Sequence, residues 1–425
     1  MRVLVIGGGG REHALVWKIA QSPKVSKVYA APGNAGIAEL AECVPLKTTD
    51  LESLANFAER NRVDLTVVGP ESPLIAGVVD VFERRGLAIF GPSREPARLE
   101  GSKVYAKEVM RRYHIPTAEF SAFSDPEAAA EYAHRRFSEG ARGLVVKADG
   151  EAAGKGVFIV HHADEALEVI RSLMEERVLG EAGERIVIEE VLTGEEASLM
   201  VFSDGVTALP MPPVQDYKRA LDHDRGSNTG GMGSICPLRV VTPELQQQAM
   251  ERIIYPAIRA TRDAGIPFRG VLYAGTMVTD GEVKTLEFNV RFGDPETQVV
   301  LPLLENDLVE VMQAAVECRL EEVALRWKPR YAVCVVVASG GYPGKYEVGL
   351  PIEGLEEAAK VPECIVFHAG TRREGDKVVT AGGRVLGVTA LGDTLAQARG
   401  RAYDAVRCIR FEYMHYRTDI GIKWV

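Results

Sequence analysis

Glu287, Asn289 and Arg291 alternate with apolar residues in the run Thr285-Leu286-Glu287-Phe288-Asn289-Val290-Arg291. Side chains of a strand point to opposite faces in turn, so this run places Leu286, Phe288 and Val290 toward a core and the three polar residues together on the other face. A carboxylate and an amide oxygen side by side suit Mg²⁺, a hard cation that takes oxygen ligands. A guanidinium on the same face suits a phosphoryl oxygen. The run therefore carries half of a phosphoryl-transfer site. The plain alternative is the solvated face of an amphipathic strand.

Three glycine-rich loops could supply the other half. Gly7-Gly8-Gly9-Gly10 follows an apolar strand and precedes a helix carrying Arg11 and His13. Such a junction offers backbone N–H groups and a positive helix end to a phosphate. Counting from Gly7, the third glycine of a dinucleotide fingerprint is replaced by Glu12, and 30–34 holds no acidic residue for a ribose hydroxyl. A nicotinamide-dependent oxidoreductase is thereby disfavoured. The second loop, 147–157, resembles a Walker A motif only at Gly154-Lys155 and lies between two strands. It can close over nucleotide phosphates. Lys147 sits in the apolar run Leu144-Val145-Val146, where a charge needs a partner such as a phosphate. The third feature joins Gln215-Asp216-Tyr217-Lys218-Arg219 to Asn228-Thr229-Gly230-Gly231-Met232-Gly233. It suits a small polar substrate and equally an ordinary surface loop.

The elements that must position these residues alternate over the first hundred residues. Strands are expected over 2–6, 25–31, 64–68 and 87–90, with helices over 12–21, 49–62 and 75–85. This α/β order implies a mostly parallel sheet covered by helices. Capping boxes at Thr49/Glu52 and Ser124/Glu127 mark two helix starts. A helix over 102–113 leads to a small unit containing strands at 144–147, 156–160 and 186–190. A long loop is expected over 215–233, then a helix over 243–264. From Trp327 onward the chain is β-rich, opening on the apolar strand 331–338.

At 425 residues the chain has room for about two to four domains. Its 46% hydrophobic and 26% charged residues are those of a globular protein. A net charge of -10 argues against nucleic acid or an anionic membrane surface as partner. The six cysteines form no C-x-x-C pair, which fits a reducing cytoplasm, and no apolar run approaches the ~18 residues of a membrane span.

Taken together, these segments resemble the phosphoribosylamine–glycine ligases (glycinamide ribonucleotide synthetases) of the ATP-grasp superfamily. The resemblance rests on Gly10-Arg11-Glu12-His13, Ala31-Pro32-Gly33-Asn34-Ala35-Gly36, Leu99-Glu100-Gly101-Ser102-Lys103, Asn228-Thr229-Gly230-Gly231-Met232-Gly233 and Arg291-Phe292-Gly293-Asp294-Pro295-Glu296-Thr297-Gln298. It extends through His368-Ala369-Gly370-Thr371 and Gly382-Gly383-Arg384. Glu151, Gly9 and Tyr217 depart from the family's usual residues. The resemblance implies an N-terminal α/β substrate domain (1–102), an ATP-grasp region (103–326) with a lid at about 123–192, and a β-rich C-terminal α+β domain (327–425). It implies ATP-dependent ligation of glycine to 5-phosphoribosylamine through glycyl phosphate, in the cytoplasm, by a monomer. Glu287 and Asn289 would hold Mg²⁺ or Mn²⁺, and Arg291 and Lys147 would act in catalysis. Lys103, Lys147, Gly154, Lys155, Gly156, Glu189, Val191 and Glu196 would bind ATP. Gly10, Arg11, Glu12 and His13 are expected at the ribose phosphate, and Asp216, Lys218, Asn228, Thr229, Gly230 and Gly231 at the remaining substrate groups.

Overall fold

The computed structural model describes residues 1–150 and 156–425. Glu151, Gly154 and Lys155 lie outside the described residues.

Val3, Leu4, Val5 and Ile6 are all fully buried, as an uninterrupted apolar run must be when helices cover both faces of a parallel sheet. They form β1 (Arg2–Gly7), the centre of a five-stranded sheet with β2 (Lys27–Pro32), β3 (Glu42–Cys43), β4 (Leu65–Val68) and β5 (Ile89–Phe90). The order is β3-β2-β1-β4-β5, parallel throughout. The helix expected over 75–85 is two helices, Glu71–Ala76 and Val78–Arg84. Gly77 separates them with a φ of +94°, a left-handed turn that glycine adopts readily.

The next unit is a small antiparallel sheet of β6 (Phe120–Phe123), β7 (Leu144–Ala148), β8 (Val157–Val160) and β9 (Ile186–Glu190), in the order β6-β9-β7-β8. Two helices back it, and Ala129, Ala133, Leu144, Val146, Ile170 and Ile188 form a core of its own.

The central sheet contains β10 (Glu195–Asp204) and β11 (Ala208–Pro210). The expected loop over 215–233 is instead built from β12 (Gln215–Asp216), β13 (Arg219–Leu221), β14 (Arg225–Asn228) and, at its end, β15 (Gly233–Cys236). Each strand is too short and polar to show a period-two pattern. The long strands β16 (Arg269–Thr279) and β17 (Glu282–Asn289) complete the order β11-β10-β16-β17.

The C-terminal region contributes β18 (Tyr331–Ser339), β19 (Cys364–His368), β20 (Thr371–Glu374), β21 (Lys377–Thr380), β22 (Arg384–Gly392) and β23 (Met414–His415). Its sheet runs β12-β15-β18-β22-β19, with β23 also on β18. Two strands from the range assigned to the central region therefore belong to the C-terminal sheet, and a boundary at 326/327 does not separate them.

Both capping boxes are displaced. Asp50, not Thr49, accepts from Ser53 N at 3.1 Å, and Asp125, not Ser124, accepts from the N–H groups of Glu127 and Ala128. In the second case Pro126 takes the first helical position, where its fixed φ fits and its missing N–H costs nothing, so the cap falls on the residue before it. Replacing Asp125 with alanine is expected to destabilise the lid by about 1 kcal/mol in urea unfolding, whereas Ser124→Ala changes it by only a few tenths, about the size of an ordinary surface substitution.

Candidate active site

A cleft of about 1250 Å³ runs between the lid, the central sheet and the C-terminal sheet. Strand β17 forms its floor, but with an irregularity. Gly275 pairs with Glu287 and Thr276 with Thr285, so Leu286 is an extra residue in the ladder. This β-bulge reverses the alternation: Val283 and Thr285 face the core before it, Phe288 and Val290 after it. Leu286 therefore lies at the cleft wall, not in the core as the alternation predicts. Glu287, Asn289 and Arg291 do share the cleft.

Burial alone would raise the Glu287 pKa, but Lys218, Lys147, Lys103 and Arg291 outweigh it and lower the value, keeping the carboxylate ionised. Asn289 Oδ1 accepts from Arg291 Nη2 at 3.2 Å. Arg291 also pairs with Glu71 at 3.2 Å and Glu100 at 2.8 Å. Burial raises the Glu100 carboxyl to about 7, against the pull of Arg291. Desolvation at Glu71 is overcome by Arg291 and Arg11, which bring it down to about 2. The Arg291 guanidinium is thus held by protein carboxylates and steadies Asn289, where the sequence assigned it to a transferring phosphoryl group.

Lys147 is buried and does find a partner. Its Nζ lies 3.1 Å from Glu189 Oε2 and donates to the Leu286 carbonyl at 3.2 Å, tying β7 to the bulge. An ammonium has three donors, which leaves one for a ligand. Glu189 Oε1 lies 3.1 Å from Lys107 Nζ, so Glu189 is shared between two lysines as it lines the cleft near Val191. Lys107 also donates to Thr117 Oγ1 at 2.6 Å. Burial lowers its pKa to about 8 despite Glu189. Lys103 donates to the Gly150 carbonyl at 3.4 Å. Gly156 lines the cleft opposite.

Across the cleft, Lys218 pairs with Glu196 at 3.1 Å, and that carboxylate together with Glu287 raises the lysine's pKa against the effect of burial. Burial and Glu296 raise the Asp216 pKa, and Asp216 Oδ1 has no hydrogen-bond partner among the described residues. Asn228, Thr229 and Gly230 line the wall. Gly231 sits behind them with a φ of +113°, and a Cβ there would lie 2.6 Å from Asp216 Oδ1. The loop is fastened by Arg384, which donates to the Gly230 carbonyl at 2.5 Å and pairs with Asp294 at 3.0 Å, and by Tyr342, whose hydroxyl accepts from Gly230 N.

The N-terminal glycine loop departs from expectation. Of Gly10, Arg11, Glu12 and His13, only Arg11 reaches the cleft. Glu12 folds back so that its Oε2 accepts from Gly9 N at 2.6 Å, and a Cβ on Gly10 would lie 3.5 Å from Asp294 Oδ1. One N–H at the helix end is already taken by the Glu12 carboxylate, while Asp294 nearby accepts from Gln298 and Arg384. Arg11 is engaged by Glu12 at 2.5 Å and by the Phe292 carbonyl at 3.1 Å. His13 is buried against Phe367, and its Nδ1 accepts from His368 N at 2.7 Å. These four residues join the N-terminal sheet to the other two regions, with Arg11 at the edge of the cleft.

Comparison with known proteins decides the affiliation. Three domain models of phosphoribosylglycinamide synthetase match the chain: the N domain over 1–100, the ATP-grasp (A) domain over 101–297 and the C domain over 332–423. The chain belongs to this family. It is 49% identical over 421 residues to the phosphoribosylamine–glycine ligase of Caldanaerobacter subterraneus, covering 99% of each chain. It is 50% identical over 426 residues to that of Pseudomonas aeruginosa, covering 100% of this chain and 98% of the relative. The crystal structure of phosphoribosylamine–glycine ligase from Thermotoga maritima superposes with a TM-score of 0.83 at 35% identity, covering 99% of this chain and 100% of that one. The biotin carboxylase domain of Hydrogenobacter thermophilus 2-oxoglutarate carboxylase shares the fold, with a TM-score of 0.74 at 17% identity over 98% of this chain and 91% of that one.

Within this phosphoribosylglycinamide synthetase chain, sequence reasoning missed Lys107, Glu71, Glu296 and Arg384 as parts of the cleft. Lys107 follows Lys103 by one helical turn, a spacing that places both on one face and could have revealed it. Glu296 and Arg384 lie within runs that carry the family resemblance, Arg291–Gln298 and Gly382–Arg384, which could have pointed to them, whereas Glu71 carries no such signal.

Burial, and to a lesser degree His368, lower the His13 pKa to about 3; burial and Arg373 bring His368 to about 4. Both fold in the neutral form, so their stability contribution is complete above pH ~6.5 and is lost as pH falls toward those values. The melting temperature should therefore fall between pH ~6.5 and ~4, and His13→Asn, which keeps an acceptor for His368 N, should flatten that slope. An unchanged slope in the variant would refute the assignment.

Proposed function

We propose that the chain joins glycine to 5-phosphoribosylamine with ATP, giving glycinamide ribonucleotide, ADP and phosphate, a step of purine biosynthesis. The observation that carries this reading is the convergence of Glu287 and Asn289 with Lys103, Lys147 and Lys218 in one cleft of a chain matched along its length by this ligase family. A glycine carboxylate oxygen attacks the γ-phosphorus of ATP, and the bond to the β-phosphate oxygen breaks to release ADP. The amine nitrogen of phosphoribosylamine then attacks the carbonyl carbon of glycyl phosphate. A C–N bond forms, the C–O bond to phosphate breaks, and the amine proton is lost.

Both steps call for positioning and charge neutralisation more than covalent participation by the protein. Lys147 offers its remaining donor, and Lys103 its ammonium at the cleft wall, to the nucleotide phosphates. Val191 and Glu189 face the adenine, and Glu196 the ribose. Asp216, Lys218 and the Asn228–Gly230 wall line the end of the cleft that would take the remaining substrate groups. The lid excludes water from the acyl phosphate.

Glu287 and Asn289 suit Mg²⁺ or Mn²⁺. Both are oxygen donors, the carboxylate is held ionised, and no group of three or more His, Cys, Asp or Glu side chains converges among the described residues. That donor set fits a cation bound through one or two protein ligands and the substrate phosphates. When bound, it neutralises charge on those phosphates. Among the described residues no helix is long and apolar enough to cross a membrane.

Release of ADP should require glycine and phosphoribosylamine together for full rate, which an assay omitting each in turn will test. Glu287→Gln and Asn289→Ala should each lower kcat at least a hundredfold at saturating Mg²⁺, with the melting temperature unchanged. Both side chains face the cleft and support no core. Near-normal turnover in either variant would remove the metal assignment.

A further inference from the structure

Segment 414–424 lies along the strands that carry the substrate wall. His415 Nε2 is 2.7 Å from the Ala220 carbonyl. Thr418 donates from N and Oγ1 to Asp222 at 2.8 and 2.6 Å. Asp419 accepts from His223 N at 2.8 Å, and Gly421 N donates to the Tyr217 hydroxyl at 3.1 Å. Lys423 pairs with Glu195, and Trp424 Nε1 donates to Gln215 Oε1 at 2.5 Å. On its other side the segment is anchored to helix Leu395–Cys408. The Tyr403 hydroxyl donates to the Arg417 carbonyl at 2.8 Å, and Arg399 donates to the carbonyls of Ile420 and Thr418.

Arg417 is the centre of this contact. It is 1% exposed and the largest fully buried side chain described. Its Nε and Nη2 each donate to Asp419 at 2.8 Å, and its Nη1 donates to Asp224 at 2.8 Å and to the Arg219 carbonyl at 3.1 Å. The guanidinium lies 5.1 Å from the Tyr217 ring centre. A buried guanidinium is costly unless its donors are matched, and here every match lies on the hairpin or on the segment that grips it. The hairpin needs such support. Its β13–β14 ladder is irregular and, among the described residues, pairs with no other strand, and an isolated two-stranded ladder is marginal in water.

We propose that Arg417 is a positioning residue for the glycine and phosphoribosylamine side of the cleft, and that segment 414–424 acts as a clasp holding Asp216, Lys218 and Asn228 in place. The inference rests on the ligase reading above. Arg417 itself reaches the cleft wall, but its bonds are all to protein. Nucleotide binding is built mainly on the lid and β17, and the clasp touches it through Lys218, which pairs with Glu196.

The test uses Arg417→Met, Arg417→Lys and Asp224→Asn in the full chain. Asp224 is 70% exposed at its side chain, so its replacement leaves the core intact. Arg417→Met should raise KM for glycine or phosphoribosylamine at least fivefold with the ATP KM within twofold. Arg417→Lys should be intermediate, because an ammonium cannot span Asp419 bidentately, and Asp224→Asn should show a smaller change of the same kind. Amide exchange over 217–229 without substrates should quicken at least tenfold in Arg417→Met and detectably in Asp224→Asn, while β7 and β9 stay as in the parent. Equal effects on all three KM values, or unchanged exchange in both variants, would overturn the proposal. If Arg417→Met fails to fold, Asp224→Asn decides by the same two readouts. Should the parent chain fail to ligate, the ligase reading falls, and the exchange experiment still decides whether the clasp exists.

Discussion

Two buried ammonium groups, Lys107 and Lys147, are held together by one carboxylate, Glu189, which is itself 2% exposed. Without it they would repel across a medium that screens poorly, and each would bear the full cost of desolvation. With it, a helix, two lid strands and the β17 bulge meet at one point, since Lys147 also reaches the Leu286 carbonyl. The electrostatics of the cleft follow from this arrangement. Lys147 remains close enough to lower the Glu287 pKa alongside Lys218 and Lys103, and a nucleotide meets cations already assembled. Positive charge is organised in advance, so little reorganisation remains when phosphate arrives.

A second carboxylate plays a parallel role at the far end. Glu71 is shared by Arg291 at 3.2 Å and Arg11 at 3.7 Å, linking the residue after β17 to the first helix. Arg384 does the same from β22, joining Asp294 to the Gly230 carbonyl. Each of the three structural regions therefore contributes a cation to the cleft and receives a carboxylate or carbonyl from another.

How much of this was legible in the sequence depended on the range of the interactions. The parallel sheet could be read from the runs at 2–6 and 64–68 because burial on both faces leaves a local apolar signature. The Glu287–Arg291 face could be read because strand geometry sets side-chain direction over a few residues. The bulge at Leu286 could not, since it exists only relative to the partner strand β16. The inward turn of Glu12 onto Gly9 N was not legible for a related reason: a glycine-rich helix start looks the same in sequence whether its N–H groups meet a ligand or a nearby side chain. The hairpin at 219–228 was hidden because its support comes from residues nearly two hundred positions later.

The sheet that spans the supposed domain boundary has a further consequence. Strand β15 covers one edge of β18, whose interior residues are apolar and fully enclosed. A fragment beginning near residue 327 would leave that edge bare, a row of open N–H and C=O groups on a flat hydrophobic strand. Such an edge recruits other chains. During synthesis the same edge is missing its counterpart in reverse: β15 emerges about a hundred residues before β18 and must wait for it. The central region cannot finish folding as an independent unit, and the last quarter of the polypeptide is a condition of the order in the middle.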